Sequence, residues 1–386
     1  MSWGVQTVEK QRQEFVERVE KQERSKAALC REYAITRRTG DKWIARYKEG
    51  ESMSDRSRAP NRTPGKTDET TEATIVAIRQ NHPALGAKKI KRILENQGRP
   101  SPAYSTINTI LHRNGMITKE ASIAATPYKR FEKERPNELW QADFKGHFAM
   151  HNGKRCHPLA ILDDHSRYCL CIDAKGGESY EPTKESFIRV FERYGIPDAL
   201  LCDNGNPWGT SQSVGYTRFE VDLMNMGILP MHGRPLHPQT QGKEERFNGT
   251  LKKECIRNRT YNGLEHAQIE FDAFRRFYNE VRPHHALGLD TPVTRFRESE
   301  RRMPERIDEW EYGTDVPLRR VKDSGYLTVR GQGYYLSEAF GGLTVGVMES
   351  VGDHAVLDIL YRQFIIAKIN IDDRVVIARR VRPLYD

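Results

Sequence analysis

The chain lacks the marks of several protein classes. Its six cysteines (Cys30, Cys156, Cys169, Cys171, Cys202 and Cys255) form no C-x-x-C pair, so neither a zinc knuckle nor a disulfide framework is expected, and reduced core thiols are the default. No apolar run approaches the ~20 residues of a membrane-spanning helix. The N-terminus is polar and charged from Gln6 onward, so no signal peptide is expected either. Internal repeats and low-complexity tracts are missing too. Charge is present but uneven. The net charge is +9 over 386 residues, yet the first 130 residues hold 26 Lys and Arg against 15 Asp and Glu, which leaves the other 256 slightly negative. A basic front end on a near-neutral body points to a polyanion-binding module attached to something else.

The front end reads as helical. Over residues 5–48, Val8, Phe15 and Val19 stripe a first helix, and Ser25 caps a second from Lys26 to Tyr33. Ala34-Ile35 makes a turn, and Thr36 caps a third helix with Trp43, Ile44 and Tyr47 inward. Arg37, Arg38, Thr39 and Lys42 remain outward near its N-terminus. That is a helix-turn-helix arrangement, in which a recognition helix offers Arg and Lys to guanine edges and phosphates. Residues 53–68 form a basic linker whose Arg56 and Arg58 can track DNA backbone. A second trihelical unit is expected over 69–118. Ile75, Val76 and Ile78 stripe its first helix, and Ile90, Ile93 and Leu94 face inward on Lys88 to Gln97. A third helix begins at Ser101-Pro102 and presents Tyr104, Ser105, Thr106 and Asn108. A second linker covers 119–135.

The body, 136–300, alternates strand and helix. Strands are expected over Leu139 to Met150, His157 to Leu162, Tyr168 to Ile172, Ala199 to Cys202 and Ile228 to Met231, with Asn152-Gly153 as a hairpin turn. Helices are expected over Glu185 to Tyr194, Phe219 to Met226, 242–257 and 266–281. Hairpins first and helical crossovers later give a mixed five-stranded sheet flanked by helices, the element order of a ribonuclease-H-like α/β fold. Residues 301–386 show short β runs punctuated by glycine, which predicts a small all-β barrel. The fold class is therefore multidomain: all-α helix-turn-helix units over 1–52 and 69–118, an α/β core, and a β tail.

Three remote stretches of the body each carry a carboxylate. Asp143 sits mid-strand among apolar neighbours, where an unpaired carboxylate is costly. Asp203 ends a buried strand just before Asn204-Gly205, where α/β sheets gather ligands. Glu245 lies on the 242–257 helix, about 200° around from Phe247 at ~100° per residue, on the face opposite the packed Phe247, Leu251 and Cys255. Glu244 is the alternative third acid, and helical facing prefers Glu245. Asn248 and Lys252 share the open face; Lys252, Lys243 and Lys253 can bind phosphate. An acidic trio suits Mg²⁺ or Mn²⁺. Two such ions, roughly 3.5–4 Å apart, would activate a water or 3′-hydroxyl and stabilise the leaving oxygen of a phosphodiester. Asp163 and Asp164 read as turn or salt-bridge residues. His237 and His284-His285 lack cysteine partners at metal spacing, so zinc is not expected.

These motifs resemble the insertion-sequence transposases of the retroviral-integrase-like DDE superfamily. The likeness rests on Trp140-Gln141-Ala142-Asp143, on Asp203-Asn204-Gly205, and on His237-Pro238-Gln239-Thr240-Gln241-Gly242-Lys243-x-Glu245-Arg246-Phe247 with Leu251-Lys252 behind it. Tyr278-Asn279-x-x-Arg282-Pro283-His284 and Thr291-Pro292 resemble the closing segment, and the front end resembles that of single-reading-frame members with tandem helix-turn-helix units. The resemblance covers about residues 10–300. It implies recognition of terminal inverted repeats, strand cleavage and strand transfer into target DNA, and work as at least a dimer on paired ends. A bacterial, nucleoid-associated cytoplasmic location goes with it. It also implies Asp143, Asp203 and Glu245 as ligands of two metal ions, with Gln241, Asn248 and Lys252 at the DNA. The spacing between Asp203 and Glu245, 41 residues, is longer than the family's usual one. The His-His-Cys-Cys zinc module of viral integrases is absent. A catalytically idle, transposase-derived DNA-binding regulator is the main alternative. A structure-selective nuclease, which would cut without joining, is a third.

Overall fold

The computed structural model describes residues 7–56, 67–117, 132–203, 205, 207–208, 215–233, 242–257, 259–378 and 381–384. The chain separates into two compact units, Met1–Lys66 and Thr67–Asp386.

The first unit holds α1 (Val8–Glu20), α2 (Lys26–Glu32) and α3 (Arg37–Lys48). Thr7, Ser25 and Thr36 each cap a helix, their side chains accepting from Lys10, Ala28 and Thr39 backbone amides. Phe15, Val16, Leu29, Cys30 and Trp43 form the core. Gly40 is required on α3, because an added Cβ would stand 2.9 Å from Cys30 Sγ. Two expected inward residues are not buried. Tyr47 is 40% and Val8 59% exposed, since each lies at a helix end, past the reach of so small a core.

The second unit begins with α4 (Glu69–Asn81), α5 (Ala87–Asn96) and α6 (Tyr104–Arg113), packed through Ile75, Leu85, Ile90, Ile93, Ile107 and Leu111. The last helix starts three residues after Ser101, with Ala103 at its cap. This trihelical group is joined to the body. His82 stacks on Phe277 with ring centroids 3.7 Å apart, and Arg92 pairs with Asp290 at 2.9 Å.

The body's sheet runs β4-β3-β1-β5-β6, with β2 (Phe148–Ala149) alongside the start of β3. Its strands are β1 (Trp140–Phe144), β3 (Arg155–Asp163), β4 (Cys169–Lys175), β5 (Ala199–Cys202) and β6 (Leu229–His232). β3 is antiparallel to β1 and β4, whereas β5 and β6 run parallel with β1. This is the mixed sheet that the element order predicts. Strand alternation sorts the two faces. Trp140, Ala142 and Phe144 pack with α7 (Tyr180–Tyr194) and α8 (Arg218–Asn225) through Phe187, Phe191 and Phe219, and with Trp208 between β5 and α8. The other face packs on α9 (Gly242–Leu251) and α10 (Leu264–Arg276) through Phe247, Leu251, Phe271 and Phe274. Both helices end in π-helical turns, Lys252–Ile256 and Phe277–Val281. The edge strand β4 is capped by side-chain amides. Asn279 exchanges two hydrogen bonds with the Cys169 backbone, and Gln268 bonds Ala174 N–H and Ile172 C=O. These amides satisfy backbone groups that an open edge would leave exposed.

The tail contains β7 (Leu318–Arg320), β8 (Tyr326–Val329), β9 (Gln332–Tyr335), β10 (Thr344–Ser350), β11 (Asp353–Tyr361), β12 (Phe364–Asn370), β13 (Val375–Ala378) and β14 (Arg382–Pro383). They make a six-stranded sheet and a separate β8–β9 hairpin. Among the described residues no ladder closes them into the expected barrel. The tail shares a core with Val221 and Met224 of α8.

Candidate active site

Asp143 lies on β1 with its side chain on the α9 face, the same face as Gln141 two residues earlier. Asp203 follows β5. The parallel register pairs Trp140 with Leu200 and Gln141 with Leu201. Carried on two residues, it sets Asp203 level with Asp143 on the neighbouring strand, about 5 Å away at ordinary strand spacing. The end of β5 is pinned. Gly205 N–H donates to Asp203 Oδ1 at 3.0 Å, and an added Cβ at Gly205 would stand 3.1 Å from Oδ2. His232 bonds the Asp203 carbonyl through Nδ1 (2.8 Å) and Glu220 through Nε2 (2.9 Å). Glu220 in turn completes the capping box of α8 with Thr217. Burial alone would lower the His232 imidazolium, but the bond and charge of Glu220 outweigh it and raise the net value.

α9 supplies the third side of the site. Asn248 Nδ2 donates to Asp143 Oδ2 at 2.8 Å. Glu244 is only 3% exposed, whereas Glu245 points outward to solvent. Glu245 thus holds the open-face position that helical periodicity expects, but the acid beside the two aspartates is its buried neighbour Glu244. The Phe247–Leu251 stripe packs on the very strand face that carries Asp143, so the acids gather at the flank of the buried stripe rather than opposite it. Burial, then the charges of Asp143 and Asp203, push the Glu244 carboxyl well above the usual range. Burial and Asp203 likewise push Asp143 up to about 6, against the hydrogen bond from Asn248.

Oxygen donors dominate here. Glu244 Oε1 and Asn248 Oδ1 are buried and, among the described residues, without a hydrogen-bond partner, which fits a place for a hard cation. As the side chains stand, though, no three His, Cys, Asp or Glu among the described residues are grouped closely enough to hold an ion.

The cations around the site divide into two kinds. Lys252 and Lys253 are exposed just beyond α9. Lys145, which the sequence does not single out, is half-buried; burial and nearby Lys252 lower its ammonium, against Asp143. Lys243 is different. It is ion-paired with the buried Asp164, and it also donates to the Asp164 carbonyl at 3.4 Å. Burial and Arg167 push its ammonium down to about 8, against Asp164. The expected free phosphate contact at Lys243 is therefore replaced by an internal pair. Asp163 accepts from Ser166 and Asn137 backbone amides, in keeping with a turn role.

The other expected DNA-facing residues lie on α3 and α6. Arg37, Arg38 and Lys42 are exposed and Thr39 is half-buried. Tyr104, Ser105 and Asn108 are exposed on α6, with Thr106 half-buried. Arg56 is exposed but paired with Glu51. Arg58, Gln241 and the His237–Thr240 stretch lie outside the described residues.

Comparison with known proteins matches four family models. Two describe an integrase core domain, over residues 133–238 and 226–292; one describes a helix-turn-helix domain, over 11–61, and one a homeodomain-like domain, over 39–111. The chain is 25% identical over 239 residues to an insertion element IS476 uncharacterized 39.2 kDa protein of Xanthomonas euvesicatoria, covering 61% of this chain and 66% of that one. It is 27% identical over 251 residues to the transposase InsD for insertion element IS2A/D/F/H/I/K of Escherichia coli, covering 59% of this chain and 80% of that one. Among solved structures it is similar to a simian T-cell lymphotropic virus intasome in complex with a PP2A regulatory subunit, with a TM-score of 0.38 and 15% identity over 74% of this chain and 91% of that one.

Proposed function

Because the chain belongs to the insertion-sequence transposases of the integrase-like DDE superfamily, we propose that it binds the terminal inverted repeats of its element and cuts and joins DNA there. The observation that carries the reading is the β1–β5 register, which levels Asp143 with Asp203, together with the α9 side chains Asn248 and Glu244 beside them. Asp143, Asp203 and Glu245 would hold two Mg²⁺ or Mn²⁺ ions. When bound, such ions polarise the scissile phosphate and lower the pKa of the attacking hydroxyl. Glu245 is the carboxylate that a hydrated ion can reach from solvent. It lies three residues before Asn248, a spacing that sets both on one flank of the helix. Asn248 holds Asp143 in one orientation, while Lys145, Lys252 and Lys253 offer charge to the DNA backbone. The exposed α3 and α6 faces grip the element ends, and at least two copies work on paired ends.

A specific observation favours a second reading of the third acid. Glu244, not Glu245, is buried beside the two aspartates with an unpartnered Oε1.

The test is to incubate the protein with labelled element ends and Mg²⁺ or EDTA, then sequence the products. Joined products that need Mg²⁺ and vanish in Asp143→Asn support the reading. Full strand transfer by that variant sinks it. Cutting without joining would favour the nuclease instead, and binding alone the idle regulator.

A further inference from the structure

We infer that Asp164 and Lys243 are positioning residues, forming with Gln141 a tether that fixes the catalytic helix over its strand; the inference rests on the site proposed above. Asp164 is 1% exposed. Its Oδ1 accepts from Gln141 Nε2 at 2.6 Å and carries the ion pair with Lys243; its Oδ2 accepts from Lys133 N–H at 2.9 Å. One carboxylate thus joins β1, the β3–β4 turn and the first turn of α9. The second tether is Asn248 to Asp143.

The two tethers match in length. Lys243 and Asn248 are five residues apart on a helix, about 7.5 Å of rise. Gln141 and Asp143 are two residues apart on a strand, about 6.7 Å. The two anchors also lie roughly 140° apart around the helix, so together they oppose both sliding and rotation of α9 on β1. Glu244 and Glu245 lie between the anchors, so their reach toward Asp143 and Asp203 is set by Asp164 as much as by Asn248. Neither Asp164 nor Lys243 need touch substrate. A phosphate-binding Lys243 would instead need an ammonium directed at solvent, and this one is turned to a buried carboxylate.

The experiment compares wild type, Asp164→Asn, Lys243→Met, Lys243→Arg and the Asp164→Asn/Lys243→Met double variant. Hydrogen exchange is read over 242–251, with strand transfer and end binding measured alongside. Asp164→Asn and Lys243→Met should each speed exchange in α9 while leaving β5 and α7 protected. Strand transfer should fall about 10–100-fold, the usual cost of losing a partner that orients a ligand. Affinity for element ends and its salt dependence should stay unchanged. The double variant should be no worse than the poorer single one, because both break one tether. Lys243→Arg should recover most of the activity. Should Asp164→Asn fail to fold, the Lys243 pair still decides the matter.

Unchanged α9 exchange in both single variants overturns the tether, whatever the activity. So does a loss of end affinity with a flatter salt slope in Lys243→Met, which would make Lys243 a DNA contact. Exchange reads the tether even if wild type joins no DNA, so failure of the proposed function is a separate result.

Discussion

Asn248 donates to Asp143 across 105 residues of sequence, at 2.8 Å, and this bond favours the charged form of a carboxylate that burial and Asp203 push up to about 6. Removing it should raise the Asp143 value further, because the ionised form loses a donor. Asn248→Ala is thus expected to shift the acidic limb of the pH–rate profile for strand transfer to higher pH. The rate at neutral pH should drop by about 10–100-fold. End binding should stay intact. A variant with an unmoved acidic limb would show that the bond does not govern Asp143.

The two adjacent glutamates give opposite expectations. Glu245→Gln should abolish Mg²⁺-dependent joining and leave the melting temperature near that of wild type, since Glu245 is exposed. Glu244→Gln should keep joining and melt at or above the wild-type temperature. Burial, Asp143 and Asp203 all disfavour its charged form, and an amide removes the repulsion from the two aspartates. The reverse pattern would assign the metal-ligand role to Glu244.

What the sequence made legible follows from local periodicity. The alternation over Trp140–Phe144, the buried β5 run ending at Asp203, and the helices capped by Ser25 and Thr36 all repeat over a few residues and appear where expected, whereas the strand expected from Leu139 to Met150 breaks after Phe144 and resumes only at Phe148. Which glutamate of α9 meets the two aspartates was not legible in this way. A helical wheel gives the angle between Glu244, Glu245 and Phe247, but not which sector the sheet's acidic edge meets. That depends on a helix anchored through Lys243–Asp164 and Asn248–Asp143, 79 and 105 residues apart. The π-helical turn at Lys252–Ile256 adds a further offset, burying Glu254 and Cys255 side by side where an α-helix turns each residue ~100° from the last. In the tail, β runs were visible, but closure depends on pairings that glycine spacing does not specify.

The junction between α4–α6 and the body is expected to be acid-sensitive. Burial, with Arg282 and Lys89 nearby, pushes His284 down to about 3, and burial lowers His82 where it stacks on Phe277. Both histidines are therefore neutral when folded, at pH values where an unfolded histidine, near 6.5, takes up a proton. The unfolded state then binds more protons, so stability that is present above about pH 6.5 is lost progressively as pH falls toward 3. Thermal melts from pH 7.5 to 4.5 should show this decline, with hydrogen exchange rising first over residues 69–113. His284→Gln cannot titrate and should flatten the decline. An equal slope in that variant would remove His284 from the account.

Arg37 and Arg38 occupy the first turn of α3, which holds no acidic residue. Cations there oppose the helix dipole, which favours negative charge at an N-terminus. Two exposed arginines at that position therefore cost local stability, a cost that a DNA phosphate or guanine edge would offset. Arg37→Ala and Arg38→Ala should each leave the melting temperature of the free protein unchanged or slightly raised. Each should weaken binding to element ends. An arginine that neutralises a phosphate should, on removal, reduce the slope of log K against log salt by about 1. An arginine that reads a base instead should keep the slope and lose about 1–3 kcal/mol of discrimination against altered ends. Titrations on element ends and on scrambled DNA at several salt concentrations separate the two modes. Wild-type affinity and slope in the double Arg37→Ala/Arg38→Ala variant would remove α3 from the DNA interface.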